Sequence, residues 1–158
     1  MRLSHRALVV VLGTALTTVG ALRALAEGHE IPTAPAEYLA KTNPSAGNEE
    51  AIKKGKKLFE KRCAKCHGAK GDGQGKSAKG LNPPVPSYLD GYLKGRQDGQ
   101  LFWIISKGSP ETDMEGFGPG TSYNVSEDDI WAVIAFIKSR WPVDILKRQE
   151  SITRRTQR

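Results

Sequence analysis

The stretch from residue 68 to residue 120 is rich in the two amino acids that interrupt regular secondary structure. It contains 12 glycines and 5 prolines, and it shows neither the alternation of a β-strand nor the pattern of a β-α-β unit. Loops of this length are uncommon in a compact domain unless another component organises them. The sequence therefore predicts an all-α domain whose three or more helices and long Gly/Pro-rich loops wrap around a large buried cofactor.

The first predicted helix spans residues 49–62, where Ile52, Gly55 and Phe59 form one stripe. Glycine inside a helix costs about 1 kcal/mol relative to alanine. A close contact with another helix at Gly55 would justify that cost, and we expect one.

Two further helices are predicted in the second half of the chain. Residues 99–107 form a short helix, which Asp98 is expected to cap and Gly108 to end. The other follows Ser126, whose pairing with Asp129 resembles a capping box. Its apolar stripe comprises Ile130, Val133, Ile134, Ile137 and Trp141.

The first helix leads into the run Cys63-Ala64-Lys65-Cys66-His67. The spacing C-x-x-C-H is the attachment pattern of c-type haem. Two thiols about one helical turn apart can reach the two vinyl groups of one haem, and the next residue then lies under the iron. We therefore expect one haem c per chain, bound covalently through Cys63 and Cys66, with His67 as the proximal iron ligand.

Other uses of the two cysteines fit less well. A structural zinc site usually needs four ligands, and the whole chain has two Cys and three His. A thioredoxin-like dithiol would follow a strand of an α/β fold, and no strand is predicted. A disulfide would close a loop of only a few residues, for which the stabilisation is smallest.

The sixth iron ligand is predicted to be Met114, which lies in a glycine-rich loop between Asp113 and Glu115. A lone Met is usually core filler, but flanking acidic residues argue against a buried core element. His/Met ligation raises the reduction potential of haem and suits electron transfer. The other candidate ligand is His29.

A metal-ligating histidine normally donates a hydrogen bond from the N–H of its second ring nitrogen to a fixed acceptor. The run Leu81-Asn82-Pro83-Pro84 is stiff, and we expect it to supply a backbone carbonyl to His67. The choice between Pro83 and Pro84 stays open, and the alternative is a plain turn.

The chain begins with a segment typical of export signals. Arg2 and Arg6 precede an uncharged, mostly apolar run at residues 7–22, and Ala24-Leu25-Ala26 supplies a cleavage pattern. The alternative is an uncleaved membrane anchor, but this run is shorter than the roughly 20 residues of a spanning helix. We expect a periplasmic mature protein without an integral membrane segment.

The sequence predicts four segments. They are a cleavable signal peptide at residues 1–26, an irregular leader at 27–46, a compact haem domain at 47–142 and a basic tail at 143–158.

Residues 55–141 resemble a class I cytochrome c domain, of the bacterial kind related to the small haem subunits of cbb3-type oxidases. The resemblance implies haem c, a Met ligand, crossed first and last helices, and electron carriage. The sequence differs from the family at Glu115, because such domains often have proline directly after the Met. The matching residues are Gly55, Phe59, Cys63, Cys66, His67, Gly68, Gly71, Gly73, Gly75, residues 81–84, residues 101–103, Met114, Phe117 and residues 131–141.

These features predict a non-enzymatic carrier that passes single electrons between redox proteins such as a dehydrogenase and an oxidase. The alternative is a haem enzyme or gas sensor, in which Met114 leaves the iron and peroxide or nitric oxide binds. We expect a monomer. A nucleic-acid partner is not expected, because stacking aromatics do not accompany the lysines.

Charge is unevenly distributed along the chain. Residues 53–79 contain ten basic and two acidic residues, a net of +8, whereas residues 90–129 contain three basic and eight acidic residues, a net of −5. One interpretation is solvated loop surface. The other is a dipole that orients the haem edge towards a partner with an acidic patch, and its predicted contacts are Lys65, Lys70, Lys76 and Lys79.

Overall fold

The structure is a computed structural model that describes residues 32–141. The predicted signal peptide, the candidate ligand His29 and the predicted tail lie outside the described residues. The helices are α1 (Ala36–Leu39), α2 (Glu49–Leu58), α3 (Ala64–His67), α4 (Asp98–Lys107) and α5 (Glu127–Arg140). A π-helical turn (Phe59–Cys63) joins α2 to α3, and a 3-10 turn (Tyr88–Asp90) precedes α4.

The predicted all-α class is confirmed, because residues 32–141 contain helices and loops but no strand. The only β-type pairing among them is an isolated bridge between Gly108 and Glu115. None of these helices is long and apolar enough to cross a lipid bilayer.

The core forms where α2 packs against α5. A Cβ atom on Gly55 would overlap the backbone carbonyl of Ala132, so the close helix contact predicted at this glycine is confirmed. Phe59 is buried one helical turn further on, with its ring 5.5 Å from that of Phe136 and 5.3 Å from that of Trp141. These two ring contacts hold the π-helical turn, which begins at Phe59 and ends at Cys63, against the end of α5.

The predicted end of the first helix was too early. The helical backbone does not stop at residue 62 but passes through the π-helical turn into α3 and ends at Gly68, whose φ is 75°. Glycine adopts this left-handed backbone without a steric penalty, which makes it a common helix terminator.

The predicted capping role of Asp98 is wrong. The N-cap of α4 is Gln97, and Asp98 is the first helical residue. The Asp98 carboxylate instead accepts a hydrogen bond from the backbone N–H of Asn43 at 3.0 Å and pairs with Lys138 of α5. The Asp98 side chain, which the local sequence predicted to be a helix cap, therefore binds residues that are distant in the chain. The predicted end of α4 at Gly108 is confirmed.

Helix α5 begins as predicted, because the Ser126 hydroxyl accepts a hydrogen bond from the Asp129 N–H at 3.2 Å. All residues from 130 to 137 are buried. The predicted apolar stripe is therefore present, but neighbouring elements cover the helix on more than that one face.

Residues 32–46 pack against α4 and α5. Gln100 of α4 accepts a hydrogen bond from the Ala34 N–H at 2.7 Å and donates one to the Pro32 carbonyl at 2.9 Å. The buried Asn43 side chain donates to the Trp131 carbonyl of α5 at 3.0 Å. The described part of the leader is thus hydrogen-bonded to the helical core.

Candidate functional site

The two thiols and the histidine lie together on one short helical segment, residues 59–67, named the attachment helix below. Cys63 ends the π-helical turn and precedes α3, which contains Cys66 and His67. Both cysteines are free thiols and are partly buried. π-Helical turns inside α-helices occur frequently at functional sites, and this one carries the first cysteine of the motif.

The glycine-rich loop after His67 folds back along the end of this helix. The last carbonyls of a helix have no intrahelical partner, and here the loop supplies the donors. A Cβ atom on Gly75 would overlap the backbone carbonyls at residues 64 and 65, so the close approach requires glycine. The bonds are Gly68 N to Ala64 O (3.0 Å), Ser77 N to Lys65 O (2.8 Å), Gly75 N to Cys66 O (3.1 Å) and Gly73 N to His67 O (2.9 Å).

An apolar cleft opens beside Cys63. Its walls come from the end of α2, from the attachment helix, from α4, from α5 and from the loop between α4 and α5. Apart from Arg62 and Cys63, every lining side chain is apolar, as a large hydrophobic ring system would require. The lining residues are Leu58, Arg62, Cys63, Ile105, Phe117, Val125, Ile130 and Val133.

His67 has the properties of a neutral ligand. Burial lowers the pKa of His67 to about 4, so the imidazole is uncharged at neutral pH, as metal coordination requires. Its Nδ1 atom is buried and has no hydrogen-bond partner within residues 32–141. The ring stacks on Tyr88, with centroids 5.1 Å apart and planes inclined by 20°.

The Cys63 thiol lies in a similar environment. Burial raises the pKa of Cys63 to about 12, the neighbouring Cys66 adds to the rise, and Lys65 opposes it. The sulfur is therefore a neutral thiol at the wall of the apolar cleft. A thioether, which carries no charge, suits that position better than a thiolate would.

The proline loop lies close to the predicted Met114 loop. The Asn82 N–H donates to the Asp113 carboxylate at 2.8 Å, which ties the two loops together. Pro83 is partly buried and Pro84 is exposed. Neither supplies an acceptor to the Nδ1 atom of His67 in this structure, so the predicted carbonyl contact is not formed among the described residues.

Met114 is partly buried in a loop that is anchored on α4. The Met114 carbonyl accepts from Ser109 N at 2.9 Å, and the Phe117 N–H donates to the Ile105 carbonyl at 2.9 Å. Phe117 lines the cleft, whereas Met114 is not among its lining residues. Met114, the predicted sixth ligand, therefore lies on the loop that borders the cleft. It is three residues before Phe117, whose side chain forms part of the cleft wall.

Tyr123 joins the Met114 loop to the attachment helix. Its hydroxyl donates to the Glu115 carboxylate at 3.0 Å. The Arg62 guanidinium and the Lys65 ammonium lie 5.7 and 5.8 Å from its ring centroid. Residues on either side of the cleft are thus held together by one aromatic side chain.

Sequence reasoning missed the contacts of Tyr88 and Tyr123. Tyr88 lies far along the chain from His67, and Tyr123 lies far from Arg62 and Lys65. A tyrosine in a loop has no spacing that would indicate a neighbouring histidine or cation. The four-residue interval between Tyr88 and Tyr92, whose rings are 6.1 Å apart, was the one available signal of an aromatic group.

The residues present fit haem c. Two free thiols one helical turn apart, a neutral histidine next to the second thiol and an apolar cleft at the first thiol are the groups that covalent haem attachment uses. The glycine loop also covers the polar end of the helix, so that unsatisfied carbonyls do not face the site.

Comparison with known proteins agrees with this reading of the site. The family model described as Cytochrome c matches residues 52–141. No curated protein matches the sequence. A chain of the reducing HAO-like protein complex of Kuenenia stuttgartiensis is similar in structure, with 26% sequence identity and a TM-score of 0.50. That similarity covers 59% of this chain and 44% of the other, so it spans less than half of that protein.

The family match covers more than half of the chain and includes the cysteine pair, the histidine and the last helix. Membership implies covalently bound haem c and haem-based electron transfer. The chain belongs to the cytochrome c family.

Proposed function

We propose that this protein is a periplasmic electron carrier with one haem c, which passes single electrons between redox proteins. The observation that carries the proposal is the placement of Cys63, Cys66 and His67 on one short helical segment, with Cys63 in the wall of an apolar cleft. When bound, haem c supplies an iron that changes its charge by one electron. Cys63 and Cys66 would attach the haem, His67 would ligate its iron, and the apolar cleft would exclude water.

Each motif residue has a separate role in this proposal. Cys63 and Cys66 form the thioether bonds, and His67 offers a neutral imidazole nitrogen to the iron. The low pKa of His67 supports this role, because the ring does not have to lose a proton before it binds.

Met114 is proposed as the sixth ligand. Its loop is held in place by three kinds of contact: bonds to α4, the Asn82–Asp113 bond and the link from Glu115 to Tyr123. Such anchoring supports a ligand role, because a thioether binds iron weakly and depends on the protein to hold it in position.

The periplasmic location rests on the export-type segment at residues 1–26 and on the family, whose attachment chemistry needs reduced thiols and an exported chain. The likeness to a chain of an HAO-like complex supports a redox protein as the partner. Under this proposal the mature protein works as a monomer, as a free shuttle or beside a larger redox complex.

The partner is proposed to present an acidic patch. Lys65, Lys70, Lys76 and Lys79 are all exposed and lie on α3 or on the loop that follows it. Lysines 70, 76 and 79 form no ion pair with another described residue. Their charges are therefore available to attract an acidic surface near the site.

The first experiment tests attachment. Expressed with a haem-attachment system, the wild-type protein should carry one haem per chain that resists extraction with acidified acetone. The Cys63→Ala/Cys66→Ala variant should yield little stable protein, whereas the control Lys65→Ala, inside the same motif, should retain full haem content. A double variant that folds and holds haem stoichiometrically would contradict covalent attachment.

The second experiment separates a carrier from a haem enzyme or gas sensor. The oxidised wild-type protein should show the weak far-red absorption band of Met sulfur bound to ferric haem, and the reduced protein should bind carbon monoxide slowly. Met114→Ala should retain haem, lose the band and bind carbon monoxide quickly. Rapid binding by the wild-type protein without that band would favour the enzyme or sensor.

A further inference from the structure

Within residues 32–141, the His67 ring does not form the hydrogen bond that usually orients a ligating histidine. Second nitrogens of ligating histidines normally donate to a carbonyl or carboxylate, and this bond fixes the ring plane. Here the buried Nδ1 atom has no partner in the described part of the chain. What the ring does have is a face-to-face neighbour, Tyr88, at 5.1 Å between centroids and 20° between planes. An offset stack of this kind restricts rotation of both rings.

Tyr88 is itself held firmly. Its backbone N–H donates to the Gly71 carbonyl at 2.7 Å, and Gly71 lies in the loop that directly follows His67. The same loop contacts the chain just before Tyr88, since a Cβ atom on Gly73 would overlap the Val85 carbonyl. Two points along the backbone therefore fix the position of Tyr88 relative to the histidine.

The Tyr88 ring is also packed on its other sides. Its centroid lies 5.3 Å from that of Trp141, 6.1 Å from that of Tyr92 and 6.5 Å from that of Phe59. Phe59 and Trp141 are buried core residues. A ring enclosed in this way cannot move aside without disturbing the core, so it forms a rigid wall for the imidazole.

We infer that Tyr88 is the positioning residue that fixes the plane of the His67 imidazole at the iron. The inference rests on the proposed function, in which His67 ligates haem iron. The plane of the His67 imidazole would determine which iron d orbital it overlaps, and so where the unpaired electron of ferric haem would lie. Tyr88 would thereby influence the electronic state of the haem without touching the iron.

The first test uses the unmodified holoprotein. In the reduced, diamagnetic state, nuclear Overhauser effects should connect the ring protons of Tyr88 with those of His67. Their absence, with both rings assigned, would overturn the inference. This measurement does not depend on whether any variant folds.

The second test uses three variants of the holoprotein. Tyr88→Leu removes the stacked ring, Tyr88→Phe keeps it, and Tyr92→Leu removes a ring of the same aromatic group that lies one ring further from His67. Electron paramagnetic resonance of the ferric protein and the spread of the haem methyl proton shifts both report the imidazole plane. Tyr88→Leu should shift the largest g value and change the methyl spread, whereas Tyr88→Phe and Tyr92→Leu should resemble the wild-type protein.

The outcomes separate this inference from the proposed function. A normal low-spin wild-type spectrum together with unchanged spectra in Tyr88→Leu would overturn the inference alone, even if that variant were less stable. Equal spectral changes in Tyr88→Leu and Tyr92→Leu would also overturn it, because they would indicate a general packing effect. A wild-type protein without a His67–iron bond would overturn the proposed function and the inference with it.

Discussion

The backbone carbonyl of Ala132 in α5 lies against Gly55 of α2, in the space that a Cβ atom on residue 55 would occupy. The contact brings the two helix backbones together at the centre of the core. It also determines how the attachment helix, which continues from α2, is seated against α5.

Gly55→Ala should therefore destabilise the folded protein, although alanine is the better helix former. Forcing a methyl group into a packed interface typically costs about 1–3 kcal/mol, and this exceeds the gain in helix propensity of about 1 kcal/mol. The free energy of unfolding, measured with urea on the holoprotein, should fall. The control Lys57→Ala, at an exposed position of α2, should change it by less than about 0.5 kcal/mol. A stabilising Gly55→Ala would contradict the close contact.

Gly71 and Gly80 provide a matched pair of left-handed glycines. Their φ angles are 70° and 84°, but a Cβ atom on Gly71 would lie 2.6 Å from ring atoms of Trp141, whereas Gly80 has no atom within 4 Å of the corresponding position. Gly80→Ala should cost about 1 kcal/mol through backbone strain alone. Gly71→Ala should cost about 1–3 kcal/mol more, because the tryptophan ring must move.

The measurement is again urea unfolding, with tryptophan fluorescence as a second probe. Gly71→Ala should alter the emission of the folded protein, and Gly80→Ala should not. Equal losses of stability in the two variants would show that the Trp141 contact contributes nothing.

The pair between Asp98 and Lys138 should contribute measurably to stability. Its side chains are 21% and 34% exposed, and Asp98 also accepts from the Asn43 N–H. A double-mutant cycle with Asp98→Ala and Lys138→Ala should give a coupling of about 1–2 kcal/mol, because hydrogen bonds to partly buried charged groups are stronger than exposed ones. Amide exchange at Asn43 should also become faster in Asp98→Ala.

The reference for that cycle is the pair between Lys56 and Glu60, which is separated by 3.9 Å and has side chains 60% and 55% exposed. Its coupling should stay below about 0.5 kcal/mol. Similar couplings for the two pairs would mean that partial burial does not strengthen the pair between Asp98 and Lys138.

Electron transfer with the physiological partner should depend on salt. Under the proposed docking mode, rates should fall as ionic strength rises past about 0.1 M, where the screening length approaches 10 Å. Lys70→Glu/Lys76→Glu should slow association by about tenfold or more while the reduction potential changes little.

The control Lys94→Glu/Lys107→Glu alters the net charge equally at two exposed positions of the acidic part of the sequence. It should slow association by less than about threefold. Electron-transfer rates that change neither with ionic strength nor with the Lys70→Glu/Lys76→Glu substitutions would show that docking is mainly apolar.

The sequence by itself determined the features that depend on residues close together in the chain. The cysteine pair and His67 lie within one helical turn, so their spacing alone indicates how a haem would attach. The start of α5 at Ser126 and the end of α4 at Gly108 follow from local capping. Gly55 was predictable as a close contact, because its cost within a helix needs a reason.

Only the tertiary structure decided the contacts between residues far apart in the chain. Aspartate is a residue type that often caps helices, yet the Asp98 carboxylate binds the Asn43 N–H and the Lys138 ammonium instead, because folding places both beside it. The stack of Tyr88 on His67 has no signal in the spacing, since it forms only when the 3-10 turn packs against the end of α3. Backbone periodicity and capping act over a few residues, whereas packing joins side chains whose distance along the chain carries no information about their distance in space.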